Sequence, residues 1–209
     1  MRRSFQGEGD PESQPSFCID AALQAVLGQV AHGAVIYAPG QRIEMPELAI
    51  EFRRQSFAPD RVACMARMPV TLVEVGSELD FGNAELQQLL GKVVMRVALA
   101  LAPRILLPRA REIAGRVGAA PASWRVYSGR RVLGSCNSRG EVALSCACVF
   151  LPPELRDFIV CHELAHLTEM NHSARFHSLC DLYLGGNEKF LIGQLRRFQW
   201  PLPPRVRRR

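Results

Sequence analysis

The chain has 209 residues, of which 48% are hydrophobic and 22% are charged, and its formal net charge is +6. This length and composition suit one globular domain with a sizeable core, and they exclude a wholly disordered or collagen-like chain. The longest stretch without a charged residue, 21–41, contains glycine, proline, glutamine and histidine. It is too polar and too interrupted to form a transmembrane helix, and we therefore expect no membrane contact.

The basic charge is concentrated at the carboxyl end. The last five residues, RVRRR, carry four arginines, so residues 1–204 hold a net charge of only +2 (6 − 4). Such a tail predicts weak contact with nucleic acid or another polyanion. The first residues, MRRSFQGEGDPESQPSF, lack the apolar run of a secretory signal, which predicts a cytoplasmic protein. The seven cysteines are then expected to be reduced and mostly buried.

Composition and pattern divide the chain into four parts. Residues 1–16 are rich in glycine, proline, serine and glutamate and are predicted to be disordered. Residues 17–80 are predicted to form a β-rich N-terminal part, residues 81–204 a mainly helical core, and residues 205–209 the basic tail. The predicted fold class is α+β, with a small antiparallel sheet followed by helices.

The N-terminal part begins with a helical pattern and then changes period. Apolar residues repeat at helical spacing over 20–31, with Asp20 as the predicted N-cap. A short apolar run at 34–37 follows and ends at the turn signal Pro39-Gly40.

Three strands are predicted in the rest of this part. Apolar and polar residues alternate over 48–52, a pattern typical of a half-buried strand. Apolar runs at 62–66 and 70–75 predict two more strands, and Pro69 separates them because proline cannot donate to a central ladder.

A long helical pattern begins at Asn83, the predicted N-cap. The residues of its predicted apolar face are Leu86, Leu89, Leu90, Val93, Val97 and Leu101. Pro103 and Pro108 are expected to kink or end this helix, and Gly118 to stop the resumed pattern. A hairpin is predicted next, from strands at 124–127 and 142–150 around the turn-rich loop GSCNSRG at 134–140.

Three helices are predicted in the last third. One opens at Pro152 and runs to 170, since proline is favoured at the start of a helix. The second is capped by Ser173 and ends at 185–186, and the third is capped by Asn187.

The second half of the first of these helices carries the motif HELAH, at 162–166. Positions four apart on a helix lie on the same face, so His162 and His166 can bring two imidazole nitrogens to one metal ion. Glu163 is rotated away from that face and can reach a water held by the metal. By chance, such a motif is expected on the order of 0.01 times in a chain of this composition. We therefore predict zinc ligands at His162 and His166 and a catalytic role for Glu163.

A catalytic zinc site normally has three protein ligands and one open position. The preferred third ligand is His172, with Glu169 and His177 as rivals. A continued helix would place His172 about 120° away from the ligand face and about 9 Å further along the axis. The helix must therefore end before residue 172, and Asn171 is the predicted pivot because asparagine tolerates left-handed backbone angles.

The segment LGSCNSRGEVALSCACVFLPPELRDFIVCHELAHLTEMNHSARFH resembles the YgjP-like family of predicted zinc metallohydrolases, relatives of SprT-type zincins. The resemblance covers about 105–200 and depends on a GSC-S-Arg-G hairpin, a helix-opening proline, HELxHL and an NHSxxF element. The matching residues are Gly134, Ser135, Cys136, Ser138, Arg139, Gly140, Pro152, His162 to Leu167, Asn171, His172, Ser173 and Phe176. It implies a zincin-like fold with an HExxH core, zinc at His162, His166 and His172, and Glu163 as the catalytic residue.

The chain departs from the family pattern at two single positions and one short segment. Leu133 and His177 stand where the family usually has tryptophan, and Cys146-Ala147-Cys148 replaces a polar-aromatic stretch. These departures put the choice of substrate in doubt but leave the ligand set intact. Cys136 is a further candidate ligand, since peptide deformylases pair HExxH with an upstream cysteine. The available His172 makes that assignment unnecessary.

The preferred function is a zinc-dependent metallopeptidase that uses a zinc-bound water with Glu163 as general base. A peptide or protein substrate is expected to add as a strand to an edge, for which 142–150 is the candidate. His177 is a possible second-shell or substrate-facing residue. The alternative is a metal-dependent nucleoside triphosphate pyrophosphatase, in which Arg139 and Arg175 clamp phosphate. A third possibility is a non-catalytic zincin-fold module that binds a partner through the arginine tail.

Overall fold

A computed structural model describes residues 37–203. The predicted disordered segment at 1–16, the helix at 20–31, most of the apolar run at 34–37 and the basic tail at 205–209 lie outside the described residues.

The N-terminal sheet has four strands in the order β1-β2-β4-β3. They are β1 (Arg42–Glu44), β2 (Ala49–Gln55), β3 (Val62–Cys64) and β4 (Val70–Gly76). The alternation predicted over 48–52 is confirmed in part: Leu48, Ile50 and Phe52 are buried, but Ala49 on the opposite face is buried as well. Phe52 also stacks on Tyr37, with ring centroids 4.6 Å apart.

The sheet is mixed, so the expectation of a purely antiparallel sheet was wrong. β2 and β4 pair in parallel, while β1 with β2 and β3 with β4 are antiparallel. A parallel pair requires a crossover connection between its strands. Here the chain leaves β2, forms β3 at the edge beyond β4, and then returns as β4 between β2 and β3. β1 was not predicted, because only Ile43 of its three residues is buried and so short a strand has no readable period.

A single helix, α1 (Ala84–Val117), spans 34 residues. Both predicted ends are confirmed: the Asn83 side chain accepts from the Glu85 and Leu86 amides at 2.7 and 3.1 Å, and Gly118 ends the helix at φ 71°. Pro103 and Pro108 lie inside the helix and do not end it. Both prolines are exposed, so the carbonyls that they leave without an amide partner lie towards solvent.

The Asn83 cap predicts a measurable contribution to stability. Asn83→Ala leaves two amides at the start of α1 without their partner and is expected to lower the free energy of unfolding by about 1 kcal/mol. Urea unfolding monitored by circular dichroism measures this change. Asn187→Ala is the matched control, because Asn187 precedes a helix but makes no side-chain cap bond. An equal loss in the two variants would contradict the assignment.

The second sheet has three strands in the order β5-β7-β6. They are β5 (Ser123–Tyr127), β6 (Gly134–Cys136) and β7 (Glu141–Ser145). The hairpin joins β6 to β7, whereas β5 runs parallel to β7, so the predicted hairpin of 124–127 with 142–150 was wrong. The GSC segment was read as a loop because its glycine and serine are typical of turns, yet it is an edge strand.

The strand predicted at 142–150 ends early. Residues Cys146–Phe150 form a short 3₁₀ helix, and the Ser145 side chain caps it by accepting from the Ala147 amide at 3.0 Å. β7 is also the central strand of its sheet. It cannot receive a peptide along its edge, and this part of the prediction is corrected.

Three helices complete the described chain: α2 (Pro153–Ala165), α3 (Ala174–Tyr183) and α4 (Glu188–Arg197). α2 begins at its prolines as predicted but ends five residues before 170. The predicted Ser173 cap is confirmed, since its side chain accepts from the Phe176 amide at 3.3 Å. Asn187 does not cap α4 as predicted; Asp181 of α3 instead accepts from the Glu188 amide at 3.0 Å.

A buried arginine ties the N-terminal sheet to α2. Arg156 donates to the carbonyls of Leu151 and Val149, each at 2.7 Å, and to the Glu47 carboxylate at 2.6 Å. These bonds satisfy a charge that is 7% exposed, which would otherwise be costly to bury. Among the helices of residues 37–203, none combines the length and the apolar character needed to cross a membrane.

Candidate metal centre

Two of the three candidate ligands come from the carboxyl end of α2. His162 lies within the helix and His166 is its C-terminal cap, so the two rings project from one face, with centroids 5.1 Å apart. Each of these two residues is only 3% exposed. The apolar residues that flank them in α2 bury this face of the helix against the core.

The chain reverses direction directly after α2, and this brings the third candidate ligand, His172, next to the helix. The amides of Leu167, Thr168 and Glu169 donate back to carbonyls of the last helical turn, which closes the reversal. His172 then lies beside the helix, with its Nε2 3.1 Å from the Nε2 of His162. Asn171 is not a left-handed pivot as predicted, because no residue other than glycine in 37–203 has a positive φ. The reversal is spread over several residues instead.

The three imidazoles form a compact donor set. Their ligand nitrogens all lie within 4.8 Å of one another. His166 Nδ1 is 3.1 Å from the Glu169 carbonyl oxygen, which can only accept a hydrogen bond, so the ring proton is on Nδ1. In this tautomer Nε2 is unprotonated and its lone pair can bind a metal ion. That Nε2 is buried and has no hydrogen-bond partner in the described structure. An orphaned, buried acceptor beside two other imidazole nitrogens is what a zinc site requires.

The spacing of the nitrogens also fits one small cation. Zn–N bonds of about 2.0–2.1 Å in a tetrahedral site place two ligand nitrogens about 3.3 Å apart. The separation of the His162 and His172 nitrogens, 3.1 Å, is close to that value. Three neutral imidazoles are the ligand set of several catalytic zinc sites, whereas magnesium and calcium prefer oxygen ligands.

Phe176 supports all three rings. It is fully buried, and its ring centroid lies 4.9, 4.5 and 4.7 Å from those of His162, His166 and His172. Its position follows from the Ser173 cap, which fixes the first turn of α3 directly after His172. Phe176 is the aromatic residue of the NHSxxF element, and its packing on the three rings leaves no periodic signal in the sequence.

Burial keeps the histidines of α2 neutral. It lowers the pKa of His166 to about 4, and it lowers the pKa of His162 well below its ordinary value, with the neighbouring imidazoles adding to the effect. A neutral imidazole is the form that ligates a metal. His162 and His166 are therefore in their ligating form at neutral pH.

Glu163 follows His162 in α2 and is buried against the strand β6. It is 4% exposed, and burial raises the pKa of its carboxyl group to about 8. Its side chain packs against the backbone of Gly134 in β6, where an added Cβ would lie 2.6 Å from Glu163 Cγ. Only glycine permits this approach. A cation nearby would oppose the effect of burial and favour the ionised carboxylate.

Glu169, Arg175 and Arg139 are not among the residues whose ligand atoms converge in the described structure. The Glu169 carboxylate is 3.9 Å from Arg175 Nε, and the Arg175 side chain is 78% exposed. Arg139 is exposed in the turn between β6 and β7. Within residues 37–203, the only ion pair found for either arginine is that of Arg175 with Glu169.

His177 lies next to the cluster and is held by a residue that the sequence analysis missed. Its Nδ1 is 2.9 Å from the Glu188 carboxylate, and its ring centroid is 6.3 Å from that of His172. The His177 side chain is 40% exposed, while that of Glu188 is 9% exposed. The two residues are separated by the second half of α3 and the turn before α4, so no local pattern could have paired them.

Cys136 is not a member of the cluster. Its Sγ lies 3.6 Å from the Asn137 carbonyl, and burial, with a smaller effect of the Glu163 charge, raises the pKa of its thiol to about 11. A thiol with a raised pKa is a poor ligand, because the thiolate is the form that binds metal.

A model of one protein family matches the chain. It is described as YgjP-like, metallopeptidase domain, and it covers residues 58–190, which is more than half of the chain. The chain belongs to the YgjP-like family. The resemblance seen in the sequence is thereby confirmed, and the match begins well before residue 105, so that it includes β3, β4 and the whole of α1. No curated protein and no solved structure matches the chain.

Membership of the YgjP-like family supports a metal-dependent hydrolase in general. The departures from the family pattern have clear places in the fold. Leu133 and the segment 146–148 are buried in the core, away from solvent. His177 is different, because it is partly exposed beside the imidazole cluster. Of these departures, His177 is therefore the one that lies partly exposed near His172.

Proposed function

We propose that this YgjP-like protein is a zinc-dependent metallopeptidase. The observation that carries the proposal is the cluster of His162, His166 and His172, in which one buried imidazole nitrogen is orphaned. The buried Glu163 is the next residue after His162 in the same helix. The family to which the chain belongs is described by its metallopeptidase domain, which supports a peptide as the substrate class.

His162, His166 and His172 would hold the zinc ion. A zinc ion with three imidazole ligands and an open position polarises a carbonyl group and lowers the pKa of a bound water from about 15.7 towards ~7. The protein contributes the orientation of these ligands. The Glu169 carbonyl fixes the tautomer of His166, and Phe176 holds the three rings at one side.

Glu163 would move the proton. As a carboxylate, it accepts a proton from the attacking water and then returns it to the nitrogen of the leaving amine. Its burial and its contact with Gly134 restrict the carboxyl group to a narrow range of positions. A general base held in this way can act without first being ordered.

The edge strand β6 is the proposed place for an extended peptide. The Leu133 carbonyl accepts from the Ser145 amide, and the Asn137 amide donates to the Glu141 carbonyl, so Ser135 between them also faces β7. The amide and carbonyl groups of Gly134 and Cys136 therefore point away from β7. A peptide that added to this edge would pass directly beside Glu163.

The zinc requirement is tested by removing and restoring the metal. We expect close to one zinc per chain in the purified protein, loss of casein hydrolysis after chelation, and recovery with added zinc. Elemental analysis and a fluorescent casein assay provide the two measurements. His172→Ala is expected to lower both the zinc content and the activity. A purified protein that neither contains nor takes up zinc would overturn the proposal.

The same experiment decides the substrate class. Nucleoside triphosphates are offered in parallel with casein, because Arg139 and Arg175 are exposed and are the arginines that the alternative function would use to bind phosphate. We expect hydrolysis of casein only. Zinc-dependent release of pyrophosphate without proteolysis would contradict the metallopeptidase function and support the alternative, a nucleoside triphosphate pyrophosphatase. Zinc binding without either activity would favour a non-catalytic binding module.

We propose that His177 faces the substrate and that Glu188 positions it. Glu188→Ala removes the hydrogen-bond partner of His177 Nδ1, so the His177 ring is no longer held in place. We expect kcat/KM for a peptide substrate to fall by about tenfold, because a displaced side chain binds the substrate less well. The zinc content should not change. Glu188→Gln keeps an oxygen that can accept from Nδ1 and is expected to retain most of the activity. A loss of equal size in Glu188→Gln would contradict the positioning role.

A further inference from the structure

A cavity of 220 Å³ lies between α1 and α2, and none of its lining residues belongs to the imidazole cluster. An apolar cavity of about 150 Å³ can stay free of water and bind a benzene-sized ligand. This α1–α2 cavity is therefore large enough for a small apolar group. Its walls are mostly aliphatic, and the buried residues that form them are Ile105, Leu106, Leu144, Cys148, Ile159 and Val160.

The mouth of the α1–α2 cavity is charged. Arg109 of α1 forms an ion pair with Asp157 of α2 at 2.6 Å, and all four carboxylate and guanidinium groups of the lining are paired in this way. The second pair joins Arg156 of α2 to Glu47, which precedes β2, also at 2.6 Å. The Glu47 and Arg109 side chains are 39% and 43% exposed, so the cavity opens to solvent on this side. Two cations and two anions give the lining no net charge.

The ion pair of Arg156 and Glu47 retains unused hydrogen-bonding capacity. A guanidinium group has five N–H donors. Arg156 makes one bond from each of its three nitrogens, to the Leu151 carbonyl, the Val149 carbonyl and the Glu47 carboxylate, so two N–H donors remain. In the described structure the Glu47 carboxylate accepts at Oε2, which leaves Oε1 as an acceptor. A ligand can therefore meet a cationic donor and an anionic acceptor at one mouth.

We infer that the α1–α2 cavity binds a free α-amino acid with a branched aliphatic side chain, such as L-leucine. The aliphatic walls bury the side chain, and this burial supplies the driving force. The ammonium group pairs with Glu47, and the carboxylate group accepts from the remaining N–H donors of Arg156. Because the lining has no net charge, a zwitterion leaves no charge of the ligand or of the mouth unbalanced. This inference does not depend on the proposed peptidase activity.

The test compares L-leucine with three analogues that each lack one of its features. Isocaproate lacks the ammonium group, isoamylamine lacks the carboxylate group, and L-asparagine has the shape and head group of leucine but a polar side chain. Isothermal titration calorimetry with the full-length protein measures each Kd. We expect isocaproate and isoamylamine to bind about tenfold more weakly or less, because each lacks a charge-assisted hydrogen bond. L-Asparagine should give no binding heat, because the aliphatic walls offer its amide no partner.

Two variants locate the ligand in the cavity. Glu47→Gln removes the anionic acceptor and is expected to weaken L-leucine about tenfold while leaving isocaproate, which has no ammonium group, unchanged. Glu44→Gln is the matched control, because Glu44 is exposed on β1 and does not line the cavity. Ile105→Phe fills the apolar part and should abolish binding of L-leucine. Circular dichroism reports whether each variant is folded, and the result with Glu47→Gln stands by itself if Ile105→Phe is not.

Four outcomes would overturn the inference. One is the absence of binding heat with L-leucine, and another is equal affinity for L-leucine and isocaproate. The third is an equal loss in Glu47→Gln and Glu44→Gln. The fourth is binding that persists in folded Ile105→Phe and is lost in His172→Ala, which would place the amino acid on the imidazole cluster, since an α-amino acid can chelate a metal ion. Calorimetry requires no hydrolysis, so these results are distinct from a failure of the metallopeptidase proposal.

Discussion

Glu163→Gln is expected to lower kcat for peptide hydrolysis on the order of 10²- to 10⁴-fold and to leave the zinc content unchanged. Glutamine has nearly the shape of glutamate and can fill the buried space beside Gly134. It cannot accept and return a proton, and general acid–base catalysis contributes about this factor. Glu163 is not one of the three residues whose nitrogens converge, so its replacement removes the proton acceptor and not a ligand.

The measurement is steady-state hydrolysis of a fluorogenic peptide by protein of known zinc content. Glu154→Gln is the matched control, because Glu154 is exposed in the first turn of the same helix. The control should retain its activity. If Glu163→Gln kept kcat within a factor of about two, Glu163 would not be the base; if it lost the zinc as well, the residue would be structural. The two readouts together therefore assign the role.

The metal cluster could be predicted to a large extent because its chemistry is local. His162 and His166 are four residues apart, and the period of the helix alone brings their rings together. His172 required one more step, namely that the helix ends before it. The Ser173 cap indicated a new helix immediately afterwards, which left a short segment for the reversal. The position of the bend could not be predicted, because it is distributed over a turn and no single residue has unusual backbone angles.

Contacts between distant segments could not be predicted in the same way. Glu188 pairs with His177 across the turn between α3 and α4, and Gly134 lies against Glu163 across the boundary between sheet and helix. Neither pair leaves a periodic trace in the sequence. The mixed order of the first sheet is a similar case, since strand direction depends on where the crossover lies and not on the strands themselves.

The two prolines of α1 show how tertiary context overrides a local rule. Proline removes a hydrogen bond and is expected to break a helix, at a cost of about 3 kcal/mol. Pro103 and Pro108 both lie on the exposed side, and the opposite side of the helix carries a long row of buried residues against the core. Burial of that row outweighs the loss of two solvent-side hydrogen bonds, so the helix continues.

The second large effect is expected from Gly134→Ala, which tests the position of Glu163 and not its chemistry. The added Cβ would lie 2.6 Å from Cγ and 2.7 Å from Cδ of Glu163, and it would also contact Oε1. These distances are shorter than van der Waals contact, so the carboxyl group must move away from β6 by about 1 Å. A misplacement of this size costs on the order of 10²-fold in kcat/KM when the group is catalytic.

Gly115→Ala is the control for the loss of a glycine, because nothing lies within 4 Å of an added Cβ there. Its activity should be unchanged. The zinc content of Gly134→Ala should stay near that of the unaltered protein, since the three atoms nearest to the added Cβ all belong to Glu163 and none to a ligand. Undiminished hydrolysis by Gly134→Ala would show that the enzyme tolerates a displaced carboxyl group. That result would contradict the proposal that Glu163 acts as a general base from one fixed position. It would do so even if Glu163→Gln were inactive.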